Sequence, residues 1–187
     1  MSDLDKEIAR EAAKALRHDP DALGLSLTEK GWITLEDLHY GFMESTPHDF
    51  DVAFLRDALE THNRRRFQFD GDRVRALAGH TTSQVHYDLR EPPEGAFYLT
   101  FSQRHHERLS SVGITQSRQK YTKVFPNPLL AYKDAKRRRI KGGILVSIDT
   151  QRAYHDGTLF YYHGGDWYVT EVDSGHLTLE ELTEEGD

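Results

Sequence analysis

Two short stretches carry residue types suited to holding an anion. In Leu16-Arg17-His18-Asp19-Pro20 an arginine and a histidine stand side by side where a helix must stop. In Arg75-Ala-Leu-Ala-Gly-His80-Thr81 an arginine is followed by glycine, histidine and threonine at a strand exit. A guanidinium offers phosphate oxygens paired hydrogen bonds and stays charged at any working pH. An imidazole titrates near neutrality, so it can donate to the same oxygens or move a proton. A glycine turn brings backbone N–H groups toward an anion. Each stretch also has a plain reading. Cations in the last turn of a helix complement its dipole, and an arginine on a hairpin strand is an ordinary solvated residue.

The elements that must position these groups follow from periodicity. In DLDKEIAREAAKALRH the apolar residues Leu4, Ile8, Ala12, Ala15 and Leu16 recur at three and four, which predicts an amphipathic helix that Asp19-Pro20 ends. Leu23, Leu25 and Leu27 alternate with small or polar residues and predict a short strand, and Gly31 marks a turn. TLEDLHYGF restarts a helix with Thr34 as N-cap and Asp37 three positions on. A third helix fits Asp49 to Asn63, with Phe50, Phe54, Leu55 and Leu59 on one face and Asp49 or Asp51 at its start. Residues 66–70 and 73–77 alternate around Asp70-Gly71-Asp72, the pattern of a β-hairpin. Three helices followed by a hairpin describe a winged-helix lobe.

Arg90-Glu-Pro-Pro-Glu-Gly has the composition of a linker and sets the expected boundary, with lobes at 1–89 and 90–187. Beyond it, strands are expected at Ala96–Phe101, Tyr121–Phe125, Gly143–Ile148, Leu159–Tyr162 and Trp167–Val172, with helices at Gln103–Ser111 and Pro128–Arg138. The class expected is therefore α+β: a helical lobe with a hairpin, then a mostly-β lobe with two inserted helices. The acidic C-terminal tail is expected to fray.

Composition narrows the chemistry. The chain has 187 residues, 37% of them hydrophobic, enough for one compact domain or two small lobes. No apolar run approaches the ~18 residues of a membrane helix. The charged start MSDLDKEIAR lacks the apolar core of a secretory signal, which predicts a cytoplasmic protein with no membrane partner. Zero cysteines exclude disulfides, thiolate metal sites and a cysteine nucleophile. The net charge of −7 argues against a uniformly basic nucleic-acid surface. Yet basic residues cluster at Arg64–Arg66, Arg73, Arg75 and Lys136–Arg139, so a local phosphate pocket on an acidic protein is the favoured arrangement. There is no P-loop, GxGxxG, GxSxG or HExxH motif. His105-His106 diverge by about 100° on a helix, and His155, His163 and His176 lack ligand spacing, so no metal site is expected.

In order along the chain stand LRHDPDALGLSLTEKGWITLEDL, RRFQFDGDRVRALAGHT, PPEGAFYLT and GITQSRQKY. From about Ala12 to Val172 this resembles the tRNA 2′-phosphotransferase family, whose pattern runs LRHxP, GLxLxxxGW, RFxxxxxxIRAxQGH, PPxxLYHGT and GLxxxxRxHVHLS. The resemblance implies a winged-helix lobe that holds RNA and an ADP-ribosyltransferase-like lobe that holds NAD. It implies removal of an RNA 2′-phosphate in two steps. The phosphate first displaces nicotinamide from NAD, and a ribose hydroxyl then attacks phosphorus. The products are RNA with a free 2′-OH and ADP-ribose 1″,2″-cyclic phosphate, and no metal takes part. The implied partner is RNA carrying a 2′-phosphate, tRNA included, and the expected state is a monomer.

Carried over by position, the family's Arg-His-Arg-Arg set falls on Arg17, His18, Arg75 and Arg118. The resemblance gives Arg17 and Arg75 to clamping the phosphate, Arg118 to stabilising charge in transesterification, and His18 to donation or proton movement. On the NAD side it implies His80, Thr81, Tyr98, Thr100 and Gly113. The departures lie there too. Leu99 stands where the family has the histidine of YHGT, and Gln119-Lys120-Tyr121-Thr122-Lys123 lacks both histidines of RxHVHLS. Two other readings fit the same residues: a catalytically weakened module that binds 2′-phosphorylated RNA, and an ADP-ribosyltransferase acting on nucleic-acid phosphate ends.

Overall fold

A computed structural model describes residues 3–63, 66–116 and 119–182. The chain divides into two compact units, residues 1–87 and 88–187. Helices are interspersed with strands that pair antiparallel, a mixed content consistent with the α+β class.

The first unit contains α1 (Asp3–Arg17), β1 (Ile33–Thr34), α2 (Leu35–Ser45), α3 (Val52–Thr61), β2 (Phe67–Asp70) and β3 (Arg73–Ala76). α1 buries Ile8, Ala9, Ala12, Ala13, Ala15 and Leu16, the stripe that its three-and-four spacing dictates. Thr34 caps α2 by accepting from the Asp37 N–H at 3.0 Å. Asp51 caps α3 by accepting from the Phe54 N–H at 2.7 Å, so that helix begins at Val52 rather than Asp49. β2 and β3 form the expected hairpin. The two-residue loop Gly71-Asp72 sets Asp70 opposite Arg73 and hence Gln68 opposite Arg75. Gly71 takes φ 61°, the left-handed conformation such a turn needs.

One expected strand is absent. Pro20–Leu23 forms a 3₁₀ turn closed by Gly24 at φ 61°, and the following chain runs without a strand partner through Leu25 and Leu27. The leucine alternation reflects packing rather than a ladder, since Leu23 and Leu25 are buried in the helical core. The third strand of this sheet is β1 instead, directly after Gly31-Trp32, in the order β1-β3-β2.

The second unit contains β4 (Asp88–Leu89), β5 (Ala96–Ser102), α4 (His106–Ser111), β6 (Gly113–Ile114), β7 (Thr122–Val124), α5 (Pro128–Arg137), β8 (Gly143–Asp149), α6 (Thr150–His155), β9 (Phe160–His163), β10 (Asp166–Val169), β11 (Val172–Asp173) and β12 (Leu177–Glu181). They form sheets ordered β4-β9-β10-β7, β12-β8-β5 and β11-β6. Phe97, Leu99, Val124, Ile144, Val146, Ile148, Phe160 and Val169 share the core.

Two expectations change here. Trp167–Val172 is not one strand: β10 pairs with β7 and β9, and the chain then turns so that Val172 pairs with Ile114 in another sheet. The tail does not fray over 177–181, because β12 pairs with β8 through five residues. Its Leu-Thr-Leu-Glu alternation turns Leu177 and Leu179 toward the core and leaves Thr178, Glu180 and Glu181 in solvent. Among the described residues no helix is long and apolar enough to cross a membrane.

Candidate functional site

The end of α1 is stapled to the chain that leaves β3. Pro20 prevents a further helical turn, so the Arg17 carbonyl is available and accepts from the Thr81 N–H at 2.8 Å and the Thr82 N–H at 3.2 Å. The Thr81 hydroxyl meets His18 Nδ1 at 2.9 Å. Gly79 turns the chain with φ 82°, and a β-carbon there would sit 3.9 Å from Arg17 Cδ. The two stretches singled out in the sequence thus meet, with Arg17, His18 and Thr81 in direct contact.

Behind this junction His80 is 2% exposed. Its Nδ1 lies 2.7 Å from the Tyr87 hydroxyl and its ring stands edge-on to Tyr87. Gly31 packs over the same histidine: a β-carbon there would come within 3.7 Å of His80 Nε2 and 3.4 Å of Val85. His80 therefore braces the turn that presents Thr81.

Arg75 is held on three sides. Its Nε and Nη2 donate to Gln68 Oε1 at 3.0 and 2.8 Å, and its Nη1 donates to the Lys30 carbonyl at 3.1 Å. The guanidinium lies over the Trp32 ring, 4.6 Å from its centroid, and Arg73 approaches the same ring at 5.3 Å. Trp32 and Gln68 were not singled out as site residues from sequence. The signal for Gln68 was nonetheless present, because a two-residue hairpin loop places residue 68 opposite 75 by counting. Gln68→Leu is expected to lower kcat/KM for a phosphorylated substrate roughly fivefold, the equivalent of about 1 kcal/mol, while Gln68→Glu retains more of it. Steady-state kinetics of the pair checks this.

A depression of about 260 Å³ beside the staple is lined by Arg10, Ala13, Lys14, Arg17, His18 and Arg66. Arg75 is not part of that lining. Partial burial, followed by the charges of Arg17 and Lys14, holds the His18 imidazole below its ordinary pKa of 6.5. The ring is therefore mostly neutral at pH 7. Expected by NMR titration is a His18 pKa below 6.5 that rises in Lys14→Gln and rises again on binding of a phosphomonoester. A value unmoved by either change would separate His18 from this cationic cluster.

In the second unit Tyr98 and Thr100 share one face of β5, and Leu99 faces the opposite way into the apolar core, 3% exposed. Tyr98 is half-buried and bridges to Phe125 through both backbone bonds. The Thr100 hydroxyl and carbonyl accept from Arg138 Nη2 at 2.8 and 2.6 Å, and Arg138 also pairs with Asp134 at 2.7 Å. Gly113 lies in β6 against Asp173 of β11, a pairing so close that no side chain fits between the backbones. Arg118, expected in the catalytic set, lies outside the described residues. So do Arg64 and Arg65 of the first basic cluster.

A carboxylate–imidazole cluster that histidine spacing did not reveal joins α1 to the loop between α2 and α3. Glu7 and Glu11, one helical turn apart, bring one ligand atom each within 4.8 Å of each other and of His48, among the described residues. His48 Nε2 is 3.6 Å from Glu11.

Comparison with known proteins converges on one family. The model of the RNA 2'-phosphotransferase, Tpt1 / KptA family matches residues 3–172. A probable RNA 2'-phosphotransferase of Pseudomonas syringae pv. tomato is 30% identical over 177 residues, 92% of each chain. One of Burkholderia lata is 28% identical over 175 residues, covering 91% of this chain and 88% of that one. Probable RNA 2'-phosphotransferase 1 of Archaeoglobus fulgidus is 27% identical over 142 residues, 76% of this chain and 65% of that one. The match runs from α1, which carries Arg17, to β11, which packs on Gly113, and on that extent the chain belongs to the RNA 2′-phosphotransferase family, a family of transferases.

Proposed function

We propose that the protein is an NAD-dependent RNA 2′-phosphotransferase. It removes a 2′-phosphate from RNA, tRNA being one such substrate, and yields 2′-OH RNA, nicotinamide and ADP-ribose 1″,2″-cyclic phosphate. On this reading residues 1–89 form a winged-helix lobe that holds RNA, and residues 90–187 form an ADP-ribosyltransferase-like lobe that holds NAD. The enzyme acts as a cytoplasmic monomer and requires no metal.

The observation that carries the reading is the staple of Arg17 and His18 onto Thr81 beside a depression lined by five basic side chains. Arg17 binds phosphate oxygens as a fork whose backbone is immobilised from two directions. His18, oriented through Nδ1 by Thr81, presents Nε2 to the same anion and holds or releases a proton there. Arg75, braced by Trp32 and Gln68 outside the lining of that depression, is given to the same phosphate by the family's Arg-His-Arg-Arg pattern, as Arg118 is given to stabilising charge in the second transfer.

The Arg138 guanidinium, fixed by Thr100 and Asp134, would hold diphosphate oxygens of NAD, and Tyr98 on the same strand face would hold a ribose hydroxyl. NAD, when bound, supplies a ribose carbon carrying a good leaving group. Leu99 contributes apolar core in place of a polar contact.

The test is incubation with a 2′-phosphorylated oligoribonucleotide and NAD, following free 2′-OH RNA and nicotinamide. Retention of the 2′-phosphate at high enzyme and NAD concentration would overturn the activity. A second reading, a module that binds 2′-phosphorylated RNA without turnover, is favoured by the placement of Leu99 in the core while Arg17 and His18 remain presented. Calorimetric titration with NAD separates the two, since only the enzyme binds it.

A further inference from the structure

The depression on α1 is longer than a single phosphate clamp requires. Arg10, Lys14 and Arg17 recur at four and three, so they stand on one face of the helix, rising about 4.5 Å from Arg17 to Lys14 and about 10.5 Å from Arg17 to Arg10. Arg66 closes the other side. Its backbone is held by Asn63 Oδ1 at 2.9 Å and by the Leu77 N–H at 2.9 Å, at the point where α3 hands over to the hairpin. Ala13 is the apolar member of the lining, and no carboxylate contributes to it among the described residues. Glu7, outside the lining, lies 4.0 Å from Arg10. Arg10, Lys14 and Arg66 thus concentrate positive charge locally on a protein whose net charge is −7.

We infer that Arg10, Lys14 and Arg66 form a subsite for the phosphodiester backbone of the substrate RNA, continuous with the 2′-phosphate clamp at Arg17 and His18. The inference rests on the proposed function for the identity of the clamp. The occupant is a strand of RNA rather than a compact anion, because the cations are strung along two helical turns and track successive charges. Arg10 and Lys14 are exposed while the opposite face of α1 is packed, so this edge of the helix is accessible to a chain lying along it. The subsite reads no base. It adds affinity and register, and it favours a 2′-phosphate embedded in a chain over one on an isolated nucleotide.

The experiment measures binding of a short 2′-phosphorylated oligoribonucleotide across a salt series. Companion RNAs carry a neutral methylphosphonate at the linkage 5′ or 3′ to the 2′-phosphate, and a 2′-OH control has all linkages charged. The wild-type protein is expected to lose about 0.7 from its log–log salt slope with at least one methylphosphonate RNA. Lys14→Gln and Arg10→Gln are each expected to weaken the charged RNA about 3- to 10-fold, and the penalty shrinks to about 2-fold or less on the matching methylphosphonate RNA. Equal penalties on charged and neutral linkages, or an unchanged slope with both, would overturn the subsite. So would variants that weaken NAD rather than RNA in calorimetry. The same slope change is expected when the methylphosphonate linkages are placed in the 2′-OH RNA. A protein that shows it without preferring 2′-phosphorylated RNA would therefore retain the subsite and refute the proposed function, and the reverse result would do the opposite.

Discussion

Arg17→Ala is expected to lower kcat/KM for 2′-phosphate release by about 10²- to 10³-fold while the protein stays folded at the assay temperature. The substitution spares the staple, because the atom that accepts from Thr81 and Thr82 is the Arg17 backbone carbonyl. It removes only the side chain that runs past Gly79 into the basic depression. A preorganised charged donor aimed at a phosphoryl group contributes about 3 kcal/mol where charge develops, so the loss falls on the transition state. Arg17→Lys is expected to recover little, since a point charge does not reproduce a planar fork. Steady-state kinetics with a 2′-phosphorylated oligonucleotide checks both variants, and a loss below threefold for Arg17→Ala would place Arg17 outside the clamp.

Gly113→Ala is expected to destabilise the second unit by about 3 kcal/mol or more, a drop of roughly 6–12 °C in the thermal midpoint of a chain this long. Two independent causes act at this position. Its φ is 97°, in the region that residues with a β-carbon rarely adopt. An added β-carbon would lie 2.6 Å from the Ser174 nitrogen and closer still to the Val172 carbonyl oxygen, both backbone atoms of the β11 strand and the turn after it. Neither can retreat without breaking the pairing of Val172 with Ile114. A glycine needed only to admit NAD would lose cofactor affinity on substitution and keep its midpoint. Thermal unfolding of the variant without NAD distinguishes the two roles.

The LRH and GHT stretches were legible as candidate phosphate-binding groups from residue type, and their order along the chain signalled the family that matches residues 3–172. Their contact was not legible. It depends on Pro20 ending α1 at the level where the chain leaves β3, a coincidence between elements more than sixty residues apart in sequence. Gln68 lay within reach of reasoning, because hairpin register follows from loop length. Trp32 did not: its ring serves Arg75 only after β1 pairs with β3, a two-residue strand too short for any periodic signal. The depression followed a similar course. Arg10, Lys14 and Arg17 could be counted onto one helix face, whereas Arg66 joins them only through the packing of α1 against the end of α3.

The same division holds in the second unit. Leu177 and Leu179 alternate with polar residues and signalled a strand that the acidic composition of the tail concealed. The break between β10 and β11 left no such mark, because a strand changes sheets where pairing partners run out, and partners are chosen by the whole fold. Sequence alone therefore determined the residue chemistry, the helix stripes, the caps and the hairpin register, all set by interactions within a few residues of chain. Tertiary structure decided which of those groups meet, that Leu99 enters the core, and that Gly113 cannot carry a side chain, because those outcomes depend on contacts between distant segments that local propensity does not encode.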